Sequence, residues 1–112
     1  MPKLRKAAFV PLVNQIFHIH PGDGRRIPVK LASITSHNMS PLYESFTLNF
    51  DPPPGEAALP DDSYLMENEN LGQAVIFISP TPGYVPDPRI YYYEAVFNVY
   101  IGEEDEAGSR TF

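Results

Sequence analysis

The sequence predicts an all-β domain of about six or seven short, mainly antiparallel strands, closed as a small barrel or a compact sandwich behind a short N-terminal helical lead. Three observations predict this fold. Apolar and polar residues alternate along several short segments, which is the two-residue period of a half-buried strand. The 13 prolines and 7 glycines leave little room for long helices. The hydrophobic fraction of 43% is enough to build a packed core and therefore argues against a disordered chain.

Chain length and composition narrow the possible classes of protein. The 112 residues fit one domain, 1–112, with an N-terminal lead at 1–14 and an acidic tail at 101–112. The chain has no cysteine, which excludes disulfides and thiol catalysis. A formal charge of −6 argues against a general nucleic-acid partner, because such a partner needs a basic surface. No apolar run is long enough for a membrane span.

The N-terminal lead is expected to contain one or two helical turns over residues 4–13. Pro11 is expected to end the helix, and the residues predicted to face inward are Leu4, Ala7, Ala8 and Phe9. The basic start resembles a signal peptide, but its apolar stretch is short and lacks a small-residue cleavage site. We therefore expect cytoplasmic synthesis without a cleaved signal, and a place in a released or surface particle is compatible with this.

Residues 16–35 are predicted to form a β-hairpin. Phe17 and Ile19 alternate with Ile16, His18 and His20 in the first arm. The apolar phase of the second arm shifts after Leu31, which predicts a β-bulge. Pro28 has no N–H to donate, so the second arm should begin at a sheet edge or a strand terminus, and we expect the hairpin to form a border of the sheet. The sequence PGDGRR between the arms fits a turn and, less well, an anion-binding nest.

The middle of the chain contains the clearest strand signal and a stiff loop. In FTLNF, residues 46–50, the phenylalanines and the leucine share one face, while Thr47 and Asn49 share the other. The sequence DPPPGEAALPDD then predicts a stiff surface loop, because consecutive prolines favour an extended conformation. SYLM, residues 63–66, is predicted to be a brief strand.

The last two predicted strands, 73–79 and 89–100, should pair as a hairpin around the long loop PTPGYVPDP, residues 80–88. The first of them, QAVIFIS, is apolar throughout and is expected to be a central strand with both faces buried. In the second, YYYEAVFNVY at 91–100, the odd-numbered residues are expected to face the core.

The even-numbered face of the last strand is the best candidate for binding. Together with a tyrosine in the preceding loop, it offers rings to a sugar, a peptide or another subunit. The candidate binding residues are Tyr84, Tyr92, Val96 and Tyr100. A second buried layer in a small barrel would explain these residues equally well.

Two histidines form a weak candidate for a metal site. His18 and His20 are two apart, so on a strand they point the same way. A third ligand would have to be Asp23, Glu44 or His37. Two histidines on the solvated face of a hairpin are the simpler explanation, and we expect no metal, cofactor or catalytic residue. The many carboxylates are mostly predicted to lie in loops, where solvated surface explains them.

The two ends of the chain carry opposite charges. Three basic residues near the start, Lys3, Arg5 and Lys6, contrast with four acidic residues near the end, Glu103, Glu104, Asp105 and Glu106. Such polarity favours head-to-tail contact between subunits, which produces rings or filaments. Two independent solvated ends are the alternative.

From residue 46 onward, the chain contains FTLNF, LPDDSYLMENENLG, VIFISP and YYEAVFN. These segments resemble a family of short, uncharacterised bacterial domains with the pattern Phe-x-Leu-x-Phe, Leu-Pro-x-x-x-Tyr, Leu-Gly and Tyr-Glu-Ala-Val-Phe-Asn. The resemblance covers about residues 7–100 and departs at Asp62-Ser63, where many members have glycine before the tyrosine. Because members occur beside phage tail-collar-like proteins, the resemblance implies a part of a tail-like particle or a surface fibre. It transfers no catalytic residues.

These observations favour a non-enzymatic structural or adaptor subunit that assembles with itself or binds a tail or fibre protein. A carbohydrate- or peptide-binding module is the alternative, and a metal-dependent enzyme at His18 and His20 is a distant third.

Overall fold

Six antiparallel strands form a closed barrel behind a short N-terminal helix, as the sequence predicts. The computed structural model describes residues 4–37, 40–83 and 90–102. The chain order is helix α1 (Lys6–Phe9), a 3₁₀ turn (Val10–Leu12), β1 (Ile16–His20), β2 (Ile27–Ser36), β3 (Tyr43–Asp51), β4 (Asp62–Asn68), β5 (Gly72–Pro82) and β6 (Tyr91–Tyr100). Around the barrel the order is β1-β2-β3-β6-β5-β4, so the structure is a barrel and not a sandwich.

The predicted hairpin and bulge are confirmed, but the predicted sheet border is not. β1 pairs with β2, and the register between β2 and β3 shifts between Leu31 and Ser33. β1 also pairs with β4, where His18 lies opposite Glu67, so closure of the barrel gives β1 a neighbour on each side. Pro28 is the second residue of β2 and therefore lies at a strand terminus, the other position that its missing N–H allows.

The core is the inner face of the barrel, and aromatic rings fill much of it. Phe46 on β3 stacks on Phe97 on β6 with ring centroids 4.8 Å apart, and Phe17 meets Phe50 edge-on at 5.2 Å. The odd-numbered face of β6 faces inward as expected, since Tyr93 and Ala95 are fully buried. Alternation on β1, β3 and β6 therefore identified the core face correctly.

The N-terminal lead closes one end of the barrel through Phe9. This ring is fully buried and lies 5.4 Å from the Phe97 ring. The prediction that Ala7 and Ala8 face inward is wrong, because both are exposed. The α-helix is only one turn long and tightens into a 3₁₀ turn, in which residues three apart align, so Phe9 and Leu12 form the inner face.

Pro11 follows the end of the α-helix at Phe9, as the sequence predicted. It lies within the first two residues of the 3₁₀ turn, where a missing N–H costs no hydrogen bond.

No helix within residues 4–37, 40–83 and 90–102 is long and apolar enough to cross a membrane.

The prediction that both faces of the fifth strand are buried is wrong. Ile76 and Ile78 are buried, but Val75 is 67% exposed and Phe77 is 55% exposed. A closed single-layer barrel has one inner face, and no described element covers the outside of β5. The apolar run therefore places hydrophobic side chains on the surface, and closure leaves no strand central.

Three tyrosines hold the proline-rich loop, residues 52–61, at the other end of the barrel. The Tyr93 hydroxyl accepts a hydrogen bond from the Leu59 N–H at 2.9 Å. Tyr91 donates to the Glu56 carbonyl at 2.9 Å, and Tyr64 donates to the Pro60 carbonyl at 2.6 Å. Burial raises the pKa of Tyr64 and of Tyr91 above the ordinary value. The loop is thus tied to the barrel along its length.

Candidate functional site

The outer face of β2, β3 and β6 carries the even-numbered side of the last strand. Across the β3–β6 ladder, Glu94 lies opposite Asn49 and Val96 lies opposite Thr47. Across the β2–β3 ladder, Thr35 lies opposite Thr47. Hydroxyl, amide and carboxylate groups from three strands therefore meet on one continuous surface.

This surface is shallow and open and does not form a deep cleft. Two adjoining hollows of about 430 Å³ and 360 Å³ share His37 and Val96 in their lining. We call the larger hollow, bounded by Thr35, His37, Thr47, Asn49, Tyr92, Glu94 and Val96, the outer groove. Its lining offers both hydrogen-bond donors and acceptors.

Thr47 and Asn49 form the floor of the outer groove. Thr47 points outward yet is only 8% exposed, and its hydroxyl lies 3.0 Å from Nε2 of His37. The Asn49 Nδ2 group donates to the Ser33 hydroxyl at 3.0 Å. The Asn49 Oδ1 atom is buried and accepts no hydrogen bond within the part of the chain that the structure describes. An outward-facing amide with an unused acceptor is uncommon, because buried polar atoms are usually paired.

The predicted binding residues divide between this groove and other places. Tyr92 and Val96 line the groove, and Val96 is 67% exposed. Tyr100 instead packs edge-on against Tyr43, with ring centroids 5.3 Å apart. Tyr84 lies outside the described residues.

Sequence reasoning did not assign the polar residues of the groove to a site. The outward alternation of Thr47 and Asn49 was visible, but the identity of the neighbouring strands was not. His37 was considered only as a metal ligand.

A second surface feature is an apolar patch on the outside of β4 and β5. Leu65 lies directly opposite Val75, and Phe77 is two residues further along the same face. All three side chains are exposed, from 37% for Leu65 to 67% for Val75. We call these three residues the β4–β5 patch.

The histidine pair lies on the outer face of β1, beside a carboxylate that the sequence did not connect with it. Nε2 of His20 is 2.9 Å from Oε1 of Glu67, and Nε of Arg26 donates to the same oxygen at 3.2 Å. These contacts, with His20 first, hold the pKa of Glu67 below its usual range. Burial, and then the charge of Arg26, lowers the pKa of His18.

The residues considered as third ligands lie elsewhere. Asp23 pairs with Arg25 at 2.7 Å, Glu44 pairs with Arg5, and His37 contacts Thr47. Among the residues with described positions, no group of three His, Asp or Glu side chains is arranged to hold a metal ion. The Asp23–Arg25 pair also supplies a charge partner inside the PGDGRR turn.

A larger hollow of about 690 Å³ is lined in part by His18 and includes Gln15, Asn68 and Gln73 in its lining. Several of its amides bond one another or the backbone. Nδ2 of Asn68 donates to the Gln15 side chain at 3.2 Å and to the Ile16 carbonyl at 3.0 Å. These groups hold the start of β1 against the β4–β5 turn and so have a structural role.

Arg5, one of the basic residues near the N terminus, has an acidic partner within the chain. The Arg5 side chain donates to both carboxylate oxygens of Glu44, at 3.1 Å and 3.3 Å, and the Lys6 backbone N–H donates at 2.7 Å. The Arg5 hydrogen bonds are the first cause of the lowered pKa of Glu44. The remaining candidate assembly residues, Lys3 and Glu103 to Glu106, lie outside the described residues.

Comparison with known proteins identifies a family for this chain. Residues 4–97 match the family described as domain of unknown function (DUF6916), and the chain belongs to it. Comparison with curated proteins and with solved structures found no match. Membership agrees with the resemblance to an uncharacterised family of short domains.

Proposed function

We propose that this DUF6916 domain is a non-enzymatic structural or adaptor subunit that assembles through the outer surface of its barrel. The observation that carries the proposal is the β4–β5 patch, in which Leu65, Val75 and Phe77 form one exposed apolar surface. Removing apolar surface from water contributes roughly 25 cal/mol per Å². Contiguous exposed apolar side chains on a folded domain commonly mark a protein contact.

A second copy of the chain is the partner that the proposal takes first. A two-fold contact uses the same patch on both subunits, so one apolar surface supplies both sides of the interface. The three side chains of the patch are uncharged, so their burial requires no charge to leave water.

The setting we propose is a phage-tail-like particle or a surface fibre. The sequence resemblance supports this setting, since it implies a neighbourhood of tail-collar-like proteins. In that setting the domain contributes contact surfaces, and the partner is another copy or a tail or fibre protein.

Light scattering at micromolar protein concentration tests the proposal. Val75 and Val96 form a matched pair, because both are strand valines that are 67% exposed. We expect the wild type to be an oligomer and Val75→Glu to be a monomer, because burying a carboxylate in the contact is costly. Val96→Glu should keep the wild-type mass, since Val96 lies outside the patch. A monomeric wild type, or equal masses for both variants, would contradict assembly through the patch.

A further inference from the structure

We infer that the outer groove on β2, β3 and β6 is a saccharide-binding site. This inference goes beyond assembly and does not depend on the β4–β5 patch, since the two surfaces share no residue. Three observations support it: the polar groups that line the groove, the hydrogen bonds that hold the Asn49 and Thr47 side chains, and the pairing of the strands beneath the groove.

The polar groups of the groove match the chemistry of a sugar ring. Each sugar hydroxyl both donates and accepts, so it is best held by acceptors and donors placed side by side. The Glu94 carboxylate supplies acceptors, and it lies opposite the Asn49 amide in register. Side chains opposite each other on antiparallel strands are about 5 Å apart at Cβ, close enough to contact neighbouring hydroxyls of one ring. Tyr92 adds an aromatic ring to the same lining.

The floor of the groove is already arranged for hydrogen bonding. The Ser33 and His37 contacts hold the Asn49 and Thr47 side chains in place. The Asn49 Oδ1 atom retains an acceptor that the described residues do not use. Groups fixed before binding lose little entropy when the ligand arrives.

The strand pairing argues against an extended peptide as the ligand. β3 forms ladders with β2 on one side and with β6 on the other, so its backbone groups from Phe46 to Phe50 are engaged. A peptide that binds as an added strand needs an unpaired strand edge, which the floor does not offer. Recognition at this groove therefore depends on side chains.

The size of the site suggests more than one sugar ring. Hollows of about 430 Å³ and 360 Å³ adjoin at His37 and Val96. Each lies within the range of roughly 300–1,000 Å³ that is common for small-molecule sites. The lining of the smaller hollow is mainly apolar and includes Tyr43, Val96 and Phe97, and its Ser45 and Asn98 side chains are hydrogen-bonded to each other at 2.6 Å. An oligosaccharide can therefore occupy both.

Saturation-transfer NMR followed by calorimetric titration tests the site, with maltotriose, chitotriose and lactose as the probes. The test variants are Glu94→Gln and Thr35→Val, both at partly or fully exposed outer-face positions. The matched control is Ser63→Val, an exposed hydroxyl residue on the outer face of β4. We expect at least one probe to bind the wild type, about tenfold weaker binding for each test variant, and wild-type affinity for the control.

Two results would overturn the inference. One is the absence of binding by all three probes at millimolar concentration. The other is binding that the control weakens as much as the test variants do, or that neither test variant changes, since the sugar would then lie elsewhere. Circular dichroism of each variant verifies that the barrel is folded.

Discussion

Tyr93 shows how a single side chain joins two distant parts of the molecule. Its ring is fully buried in the barrel, where a hydroxyl without a partner would be costly. The partner is the Leu59 backbone N–H, which is itself in the proline-rich loop and has no strand to pair with. One hydrogen bond therefore satisfies two buried groups. Tyr91 packs edge-on against Tyr93 at 5.3 Å and bonds the same loop at Glu56.

Replacing Tyr93 with phenylalanine should therefore destabilise the protein. We expect Tyr93→Phe to lower the free energy of unfolding by about 1–3 kcal/mol, because the Leu59 N–H stays buried without an acceptor. Urea denaturation measures this change. Tyr43→Phe is the control, since Tyr43 is partly exposed and should shift the free energy by less than about 0.5 kcal/mol. Equal unfolding midpoints for Tyr93→Phe and wild type would show that the hydrogen bond contributes nothing.

At the scale of elements, the N-terminal lead is an integral part of the barrel. Phe9 packs against the rings of both Phe46 and Phe97. This burial stabilises the lead, because a single helical turn is not stable by itself. Glu44 on β3 then holds the start of α1 through the Arg5 side chain and the Lys6 N–H. A carboxylate at the N terminus of a helix also satisfies a backbone donor that the helix leaves unpaired.

The contact between the lead and β3 should depend on pH. Arg5 and the Lys6 N–H lower the pKa of Glu44, so the folded state favours the carboxylate more than the unfolded state does. The stabilisation is therefore present above the unfolded pKa of about 4.3 and is lost as the pH falls through the folded pKa. We expect Glu44→Gln to cost about 1 kcal/mol at pH 7, a modest value because both side chains are partly exposed.

Urea denaturation of wild type and Glu44→Gln across the acid range measures this dependence. The difference in free energy of unfolding between the two proteins should shrink as the pH falls below about 4, because a glutamate carboxyl ordinarily becomes protonated in that range. Glu69→Gln in the exposed β4–β5 turn is the matched control. A difference that stays constant with pH would mean that ionisation of Glu44 is not the cause.

At the scale of the whole molecule, closure joins all six strands into one core. The helix fills one end and the tyrosine-held loop covers the other, so the ends share side chains with the barrel. Phe46 and Phe50 on β3 contact both regions of the core, through Phe97 at one end and Phe17 further along. No described end element has a core of its own.

The molecule should therefore unfold in a single cooperative transition. Far-ultraviolet circular dichroism reports the strands, and near-ultraviolet circular dichroism reports the tyrosines that hold the loop. We expect the two thermal transitions to coincide at a fixed protein concentration. An earlier near-ultraviolet transition would show that the loop detaches before the barrel opens.

The sequence by itself determined the strands, the bulge after Leu31 and the inner face of β1, β3 and β6. These features depend on side-chain alternation between neighbours in the chain, which any reader of the sequence can see. It also placed Tyr92 and Val96 on an outer face, since faces follow from the same alternation.

Only the tertiary structure decided which strands meet and what each outer face borders. His20 and Glu67 are 47 residues apart in the chain, and Leu59 and Tyr93 are 34 apart, so no local pattern connects them. Closure brought β1 against β4 and exposed Val75 and Phe77, which an apolar run had suggested were buried. It also joined Thr35, Asn49 and Glu94 in one groove. The physical reason is that alternation specifies the two sides of a strand, whereas the neighbours of that strand depend on how the whole chain closes.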